Sequence, residues 1–281
     1  MTDGLDVVTT DVAKRYAAVP AVDRALALLR VLATTDTPPT LSELSHQIGV
    51  SRSTVYSILA TLQDYGFVEK DARHKTYRLG PATLELGSAY IGQVTLLPAF
   101  NAIAQRLVNL CGETVKLAIL SGRDVVYLGK QEGLYSVRLV ARVGSRMPAH
   151  ATAVGKALLA HLGDESLERL YAGYDFPAPT RHTISNLAAL RDALRETRER
   201  GYARDREESA TGLQCVAAPV FDHSGAAVAA ISIGVPNDRL SEARLEELAA
   251  LVREHAGELS RTLGWTETRD GAAREQRASV G

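Results

Sequence analysis

Cysteine is scarce in this chain, with two residues in 281, Cys111 and Cys215. Two cysteines cannot build a disulfide framework, and neither belongs to a C-x-x-C element, so a structural zinc cage is excluded and no metal is expected. Long apolar runs are lacking too. Nothing approaches the roughly 20 residues that a membrane span requires. The opening MTDGLDVVTTDVAKRY has neither the basic start nor the apolar centre of a signal peptide. The expected location is the cytoplasm, with no membrane partner. A surplus of one charge sign is missing as well: 32 Lys and Arg stand against 33 Asp and Glu. No internal repeat is present.

What remains is ordinary globular material, with 46% hydrophobic and 23% charged residues. The length suits two domains or one large one. The near-neutral sum hides an uneven distribution, and the distribution is what bears on nucleic acid. Residues 1–11 hold three acids and no base, residues 12–80 hold nine bases against six acids, and residues 81–281 hold 23 bases and 24 acids. A mildly basic module therefore precedes a neutral body.

Within the basic module, Val22, Ala25, Leu26, Leu28, Leu29 and Leu32 have the spacing of a helix with one buried stripe, ended by Thr34 to Pro39. Thr40-Leu41-Ser42-Glu43 reads as a capping box opening a short second helix. Gly49 can stop that helix in the left-handed conformation, and Ser51 can cap a third helix that turns Val55, Ile58, Leu59 and Leu62 inward. Two short strands, Phe67 to Lys70 and Thr76 to Leu79, flank a charged loop. Helix, tight turn, helix and a strand pair with a basic tip make a winged helix-turn-helix, mostly α with a β wing, whose third helix can enter a major groove about 12 Å wide.

That geometry singles out contacts to double-stranded DNA. Arg52, at the start of the third helix, is the expected base reader, because an arginine there can make a two-pronged contact to guanine. Ser51, Ser53, Thr54 and Tyr56 accompany it, and Thr40 can reach phosphate from the start of the second helix. Arg73, His74 and Lys75 at the wing tip suit the backbone or the minor groove. Arg24, on the first helix, completes the set.

Residues 82–96 have helical spacing ending before Pro98 and read as a connecting helix. A helix over about 99–110 follows, then strands Thr114 to Leu120, Val125 to Gln131 and Val137 to Arg142. Helices are expected near 153–162, 164–171 and 187–200. Two apolar strands, Gln214 to Phe221 and Ala226 to Val235, are joined by the turn Asp222 to Gly225, and a long amphipathic helix runs from Ser241 to Leu263. This order implies an α+β sensor-like domain, an antiparallel sheet with helices against it. The domain expectation is a disordered segment 1–17, a winged helix-turn-helix 18–80, a linker helix 81–97, an effector-binding domain 98–265 and a disordered tail 266–281.

Four stretches carry a specific resemblance. Gly144-Ser145-Arg146-Met147-Pro148-Ala149-His150-Ala151-Thr152-Ala153-Val154-Gly155-Lys156-Ala157 resembles a motif of the IclR family of bacterial transcriptional regulators. So do Gly201 to Glu208 and Gly212 to Val220, and Val19 to Leu26 is similar to that family's first helix. The resemblance spans about residues 19–263. It implies a GAF-like effector-binding domain that senses a small organic acid or aromatic compound and alters operator binding, with no cofactor and no catalytic residue. Because one winged module makes few contacts and two on one operator multiply affinity, a homodimer or dimer of dimers is expected, with the first helix and the 82–96 helix as its surfaces. Repression is the implied outcome, with activation as the alternative.

By the same similarity, the amides of Ala153 and Val154, with Asp205, Cys215 and Ser232, line the pocket, and Leu139, Met147 and Leu213 form its apolar wall. Small residues at that helix start also expose amides suited to an anion. Where some relatives have a second serine two residues beyond Ser232, this chain has Gly234, which removes one polar contact and suits a bulkier or less polar ligand.

Two other function classes compete. A thiol enzyme would use Cys215 with a base such as His150, but no motif supplies the pairing that a cysteine nucleophile needs. A winged domain that binds protein rather than DNA would lack the steep salt dependence that phosphate contacts impose.

Overall fold

The computed structural model describes residues 19–93, 96–134 and 142–266. It divides into two compact units that part between residues 94 and 95.

In the first unit, α1 (Pro20–Thr34) opens with Pro20 in its first turn, where a missing N–H costs nothing, so the helix begins two residues before its first apolar stripe position at Val22. Next come α2 (Leu41–Ile48), α3 (Arg52–Asp64), strands β1 (Val68–Asp71) and β2 (Thr76–Leu79), and α4 (Pro81–Gln93). The strands pair antiparallel from Val68↔Leu79 to Asp71↔Thr76. Leu28, Leu32, Leu44, Val55, Leu59, Val68 and Tyr77 form one core, so each of the first three helices and both strands contribute a side chain to it. The wing is also tied to the start of α2, through a bridge between Thr40 and Thr76 and a hydrogen bond from the Tyr77 amide to the Pro39 carbonyl at 2.9 Å.

The connecting helix departs from its expected span. It begins at Pro81 and ends at Gln93, and α5 (Leu96–Cys111) has already begun before Pro98. Pro98 stands in the first turn of α5, where no intrahelical donor is needed, so it does not mark the break that the sequence suggested.

The second unit is built on a six-stranded sheet in which every neighbouring pair is antiparallel. Its strands are β3 (Thr114–Ser121), β4 (Asp124–Gln131), β5 (Arg146–Pro148), β6 (Ala203–Arg206), β7 (Leu213–Phe221) and β8 (Ala227–Pro236), in the spatial order β5-β4-β3-β8-β7-β6. Helices α5 and α9 (Glu242–Thr262) pack on each other and on one face. On the other face lie α6 (Ala153–Leu159), α7 (Asp164–Tyr171) and α8 (Leu187–Arg200), sharing a core with Ala118, Val125, Ala203, Ala217 and Ala230 of the sheet. The small residues on that face let α6 approach it closely.

Strands β5 and β6 were not foreseen. They run three and four residues and contain Arg146, Arg204, Asp205 and Arg206, so they show no apolar alternation. The helix expected over 153–162 stops at Leu159 and is preceded by a 3-10 turn, Ala149–Ala151. The strand expected over Val137 to Arg142 lies outside the described residues except for Arg142, which is in no strand. The expected segments 1–17 and 266–281 lie outside them as well, apart from Thr266.

Candidate functional site

The first unit presents its third helix outward. Ser51 caps α3, its hydroxyl accepting from the Thr54 amide at 3.4 Å while lying 3.1 Å from Ser53 Oγ and 2.9 Å from Thr54 Oγ1. Val55 and Leu59 are fully buried, which fixes the helix rotation and leaves Arg52, Ser53 and Tyr56 exposed on the opposite side. Thr54 is half-buried against the cap. Among the described residues, the Arg52 guanidinium enters no ion pair or hydrogen bond, so the fold does not use its charge.

The short interval before α3 depends on Gly49, whose φ of 67° lies in the left-handed region and ends α2. At the other end of α2 the capping box is complete: the Thr40 amide donates to Glu43 Oε2 at 2.7 Å and the Glu43 amide to Thr40 Oγ1 at 3.4 Å. The Thr40 hydroxyl also donates to Glu43 Oε2, so it is occupied within the motif. Arg24 is half-buried on α1.

At the wing tip an acid does the shaping, a role the sequence reading missed. Asp71 Oδ1 accepts from the amides of Arg73 at 2.8 Å and His74 at 3.0 Å, and its Oδ2 lies 2.8 Å from His74 Nδ1. The His74 side chain, helped by these amides, holds the Asp71 carboxyl down at about 2. Arg73, His74 and Lys75 are all exposed, and among the described residues the side chains of Arg73 and Lys75 form no ion pair. The neighbouring Arg78 is held by Glu69 at 2.7 Å.

In the second unit one cavity opens between the start of α6 and the sheet face beneath it. Met147, Ala153, Val154, Asp205, Leu213, Cys215 and Ser232 all line it, although they come from five separate elements. Leu139 lies outside the described residues. The remaining lining was not anticipated: Lys116, Tyr127, Thr152, Ser209 and Ala210. Of these, Lys116 left a trace in the sequence, as the one charged residue within the apolar strand TVKLAILS. The space between these side chains is narrow, about 370 Å³ with its open mouth included.

Strand register explains why these side chains meet. Lys116 pairs with Ser232, Ser232 with Ala217, and Ala217 with Ala203, so all four point to the α6 side. One step along, Thr114 and Cys215 both pair with Gly234, and Cys215 with Asp205. A serine in place of Gly234 would stand in that row.

Asp205 is 1% exposed, and burial pushes its carboxyl up to about 6 despite the nearby Lys156 ammonium. Its Oδ1 accepts from the amides of Glu208 at 2.6 Å and Ser209 at 3.3 Å, and its Oδ2 from Ser209 Oγ at 2.5 Å. Glu208 in turn accepts from Lys156 Nζ at 2.5 Å, a buried ion pair between the loop after β6 and the middle of α6. Lys156 is thus structural. Burial pushes the Cys215 thiol up to about 12, the reverse of what a nucleophile requires.

The glycine of the A-V-G-K stretch has a steric cause. A Cβ on Gly155 would come within 2.1 Å of the Ala149 carbonyl oxygen, because the 3-10 turn crosses the helix there. His150 within that turn is fully buried, and burial lowers its pKa. Its Nε2 lies 3.1 Å from the Pro177 carbonyl, which can only accept, so the neutral ring carries its proton on Nε2. His150 packs edge-on against Tyr174 and Phe176. No cluster of potential metal ligands occurs among the described residues.

Comparison with known proteins agrees with this two-part reading. The IclR helix-turn-helix domain model matches residues 21–72, and the bacterial transcriptional regulator IclR C-terminal model matches residues 88–261. The chain is 36% identical over 247 residues to the HTH-type transcriptional regulator XynR of Escherichia coli, covering 88% of this chain and 98% of that one. It is 35% identical over 244 residues to the HTH-type transcriptional repressor AllR of the same organism, covering 87% and 90%. Its fold is shared with an IclR homologue from Microbacterium hydrocarbonoxydans crystallised with 4-hydroxybenzoate. The TM-score there is 0.73 at 24% identity, over 86% of this chain and 98% of that one.

Proposed function

Since the chain belongs to the IclR family of bacterial transcriptional regulators, and is therefore a ligand-responsive DNA-binding regulator and not an enzyme, we propose a specific division of labour within it. Helix α3 docks in the major groove of an operator with Arg52 toward a base edge. The wing residues Arg73, His74 and Lys75 lie along the backbone. The cavity beside α6 holds the effector, a small organic acid or aromatic compound. The regulator acts as a repressor, as the name of its relative AllR suggests. It works in the cytoplasm, and no helix among the described residues is long and apolar enough to cross a membrane.

The observation that carries this reading is the convergence of Met147, Ala153, Val154, Asp205, Leu213, Cys215 and Ser232 on one space. Two-fold assembly follows from the small footprint of a single winged module, since two modules on one operator multiply affinity. Val22 and Leu26 on α1 and Leu84 and Leu86 on α4 stand 55–73% exposed and are the proposed contact surfaces.

The test is fluorescence anisotropy with the full chain and a fragment of its own promoter at fixed salt. Small carboxylic acids and aromatics, 4-hydroxybenzoate among them, are titrated in. A compound that shifts DNA affinity identifies the effector class, and Asp205→Ala weakens that response. A response insensitive to Asp205→Ala places the effector elsewhere.

A further inference from the structure

A buried ammonium group needs an anion, and in this cavity Lys116 lacks one. Lys116 is 5% exposed and stands on β3 directly across from Ser232. Among the described residues its Nζ makes no hydrogen bond or ion pair, and its close partner is the face of the Tyr127 ring, 5.4 Å from the ring centre. That contact is attractive but does not neutralise the charge.

Asp205 is the one acid in the lining, and it is already engaged. Both of its oxygens accept hydrogen bonds from the Glu208–Ser209 turn, and its charge acts on Lys116 without the two forming an ion pair. Lys130, opposite Lys116 in the β4 register, adds a like charge beside it, itself answered by Glu132 at 2.8 Å. Burial lowers the Lys116 ammonium from its ordinary value, so the empty cavity holds this cation at a cost.

The geometry points to Lys116 as the residue that receives a ligand carboxylate, making the cavity selective for monocarboxylates over their neutral analogues. This rests on the cavity being the effector site. The lining holds a single base, so one negative charge is balanced and a second would lie uncompensated near Asp205. The anion would sit between Lys116 and Ser232, and the apolar remainder against Leu213 and Met147.

Calorimetric titration of the full chain with matched pairs tests the assignment: acetate with acetamide, benzoate with benzamide, 4-hydroxybenzoate with 4-hydroxybenzamide. At least one acid is expected to bind tenfold or more tightly than its amide. In Lys116→Met, of similar length and without charge, acid affinity falls about 30-fold while amide affinity holds or improves. Lys116→Gln, which keeps a polar head, shows the same loss. The Tm of the ligand-free Lys116→Met chain rises, which removal of a purely structural lysine would not produce.

A wild-type chain that prefers no acid over its amide overturns the assignment, as does a preference surviving in both variants or a fall in that Tm. Leu213→Trp, which fills the cavity, separates the two levels of inference. Binding abolished by Leu213→Trp with acid preference intact in the Lys116 variants removes only the role of Lys116. Acid binding untouched by Leu213→Trp removes the cavity itself as the effector site, and the role of Lys116 with it.

Discussion

At Gly155 one hydrogen atom stands where any other residue would place a carbon against the Ala149 carbonyl, and the contact is with backbone, which cannot swing aside. Gly155→Ala is therefore expected to destabilise the effector unit by about 1–3 kcal/mol. It should also displace the Ala153–Val154 wall, read as a lower urea midpoint together with weakened ligand response. Asp205 gives a pH signature. Its folded-state value of about 6 lies above its ordinary 3.8, so the folded chain holds this proton more tightly than the unfolded chain does. The stability it contributes is complete below about pH 4 and is lost as pH rises through 6. The Tm of wild type minus that of Asp205→Asn should accordingly shrink from pH 4 to pH 7 in a thermal scan series, and a constant difference would contradict the burial assigned to this carboxyl. Asp205, Cys215 and Ser232 were legible through the family resemblance. Lys116 and Tyr127 were not, because their place in the cavity depends on which strands lie side by side, and pairing between β3 and β8 joins residues more than a hundred positions apart.

Among the elements, those with local punctuation were readable and those bounded by distant contacts were not. The capping box at Thr40, the left-handed Gly49 and the Ser51 cap lie within a few residues of the helices they bound, and α2 and α3 follow from them. Helix α6 ends early and β6 exists at all because of neighbours far along the chain, so neither left a periodic trace. Helix α3 and the wing should behave differently when mutated. If α3 docks as proposed, Arg52→Ala removes a base contact and is expected to cost about 1–3 kcal/mol of operator affinity while relaxing base preference. With the wing on the backbone as proposed, Lys75→Ala is expected to weaken all sequences alike and to lower the salt slope by about 1. Anisotropy titrations on operator and scrambled duplexes across a salt series separate the two, and equal behaviour of both variants would refute the proposed docking.

For the whole molecule, the uncovered apolar side chains of the first unit set the expectation. Val22 and Leu26 share one stripe of α1 with Val19 just before it, and Leu84 and Leu86 stand open on α4, apolar surface that a second copy would cover. Leu26→Glu combined with Leu84→Glu is expected to halve the mass measured by light scattering and to weaken operator binding more than tenfold. An unchanged mass would reassign those surfaces.

The Lys156–Glu208 pair has a bearing on how a guest enters. Glu208 grips Asp205 through its amide and α6 through its carboxylate, so roof and floor of the chamber are riveted by a single residue. Removing one partner would strand the other's buried charge at a cost of about 3–5 kcal/mol. Neither Lys156 nor Glu208 lines the cavity, so the walls a guest meets are held to one another by a bond that the guest itself does not touch.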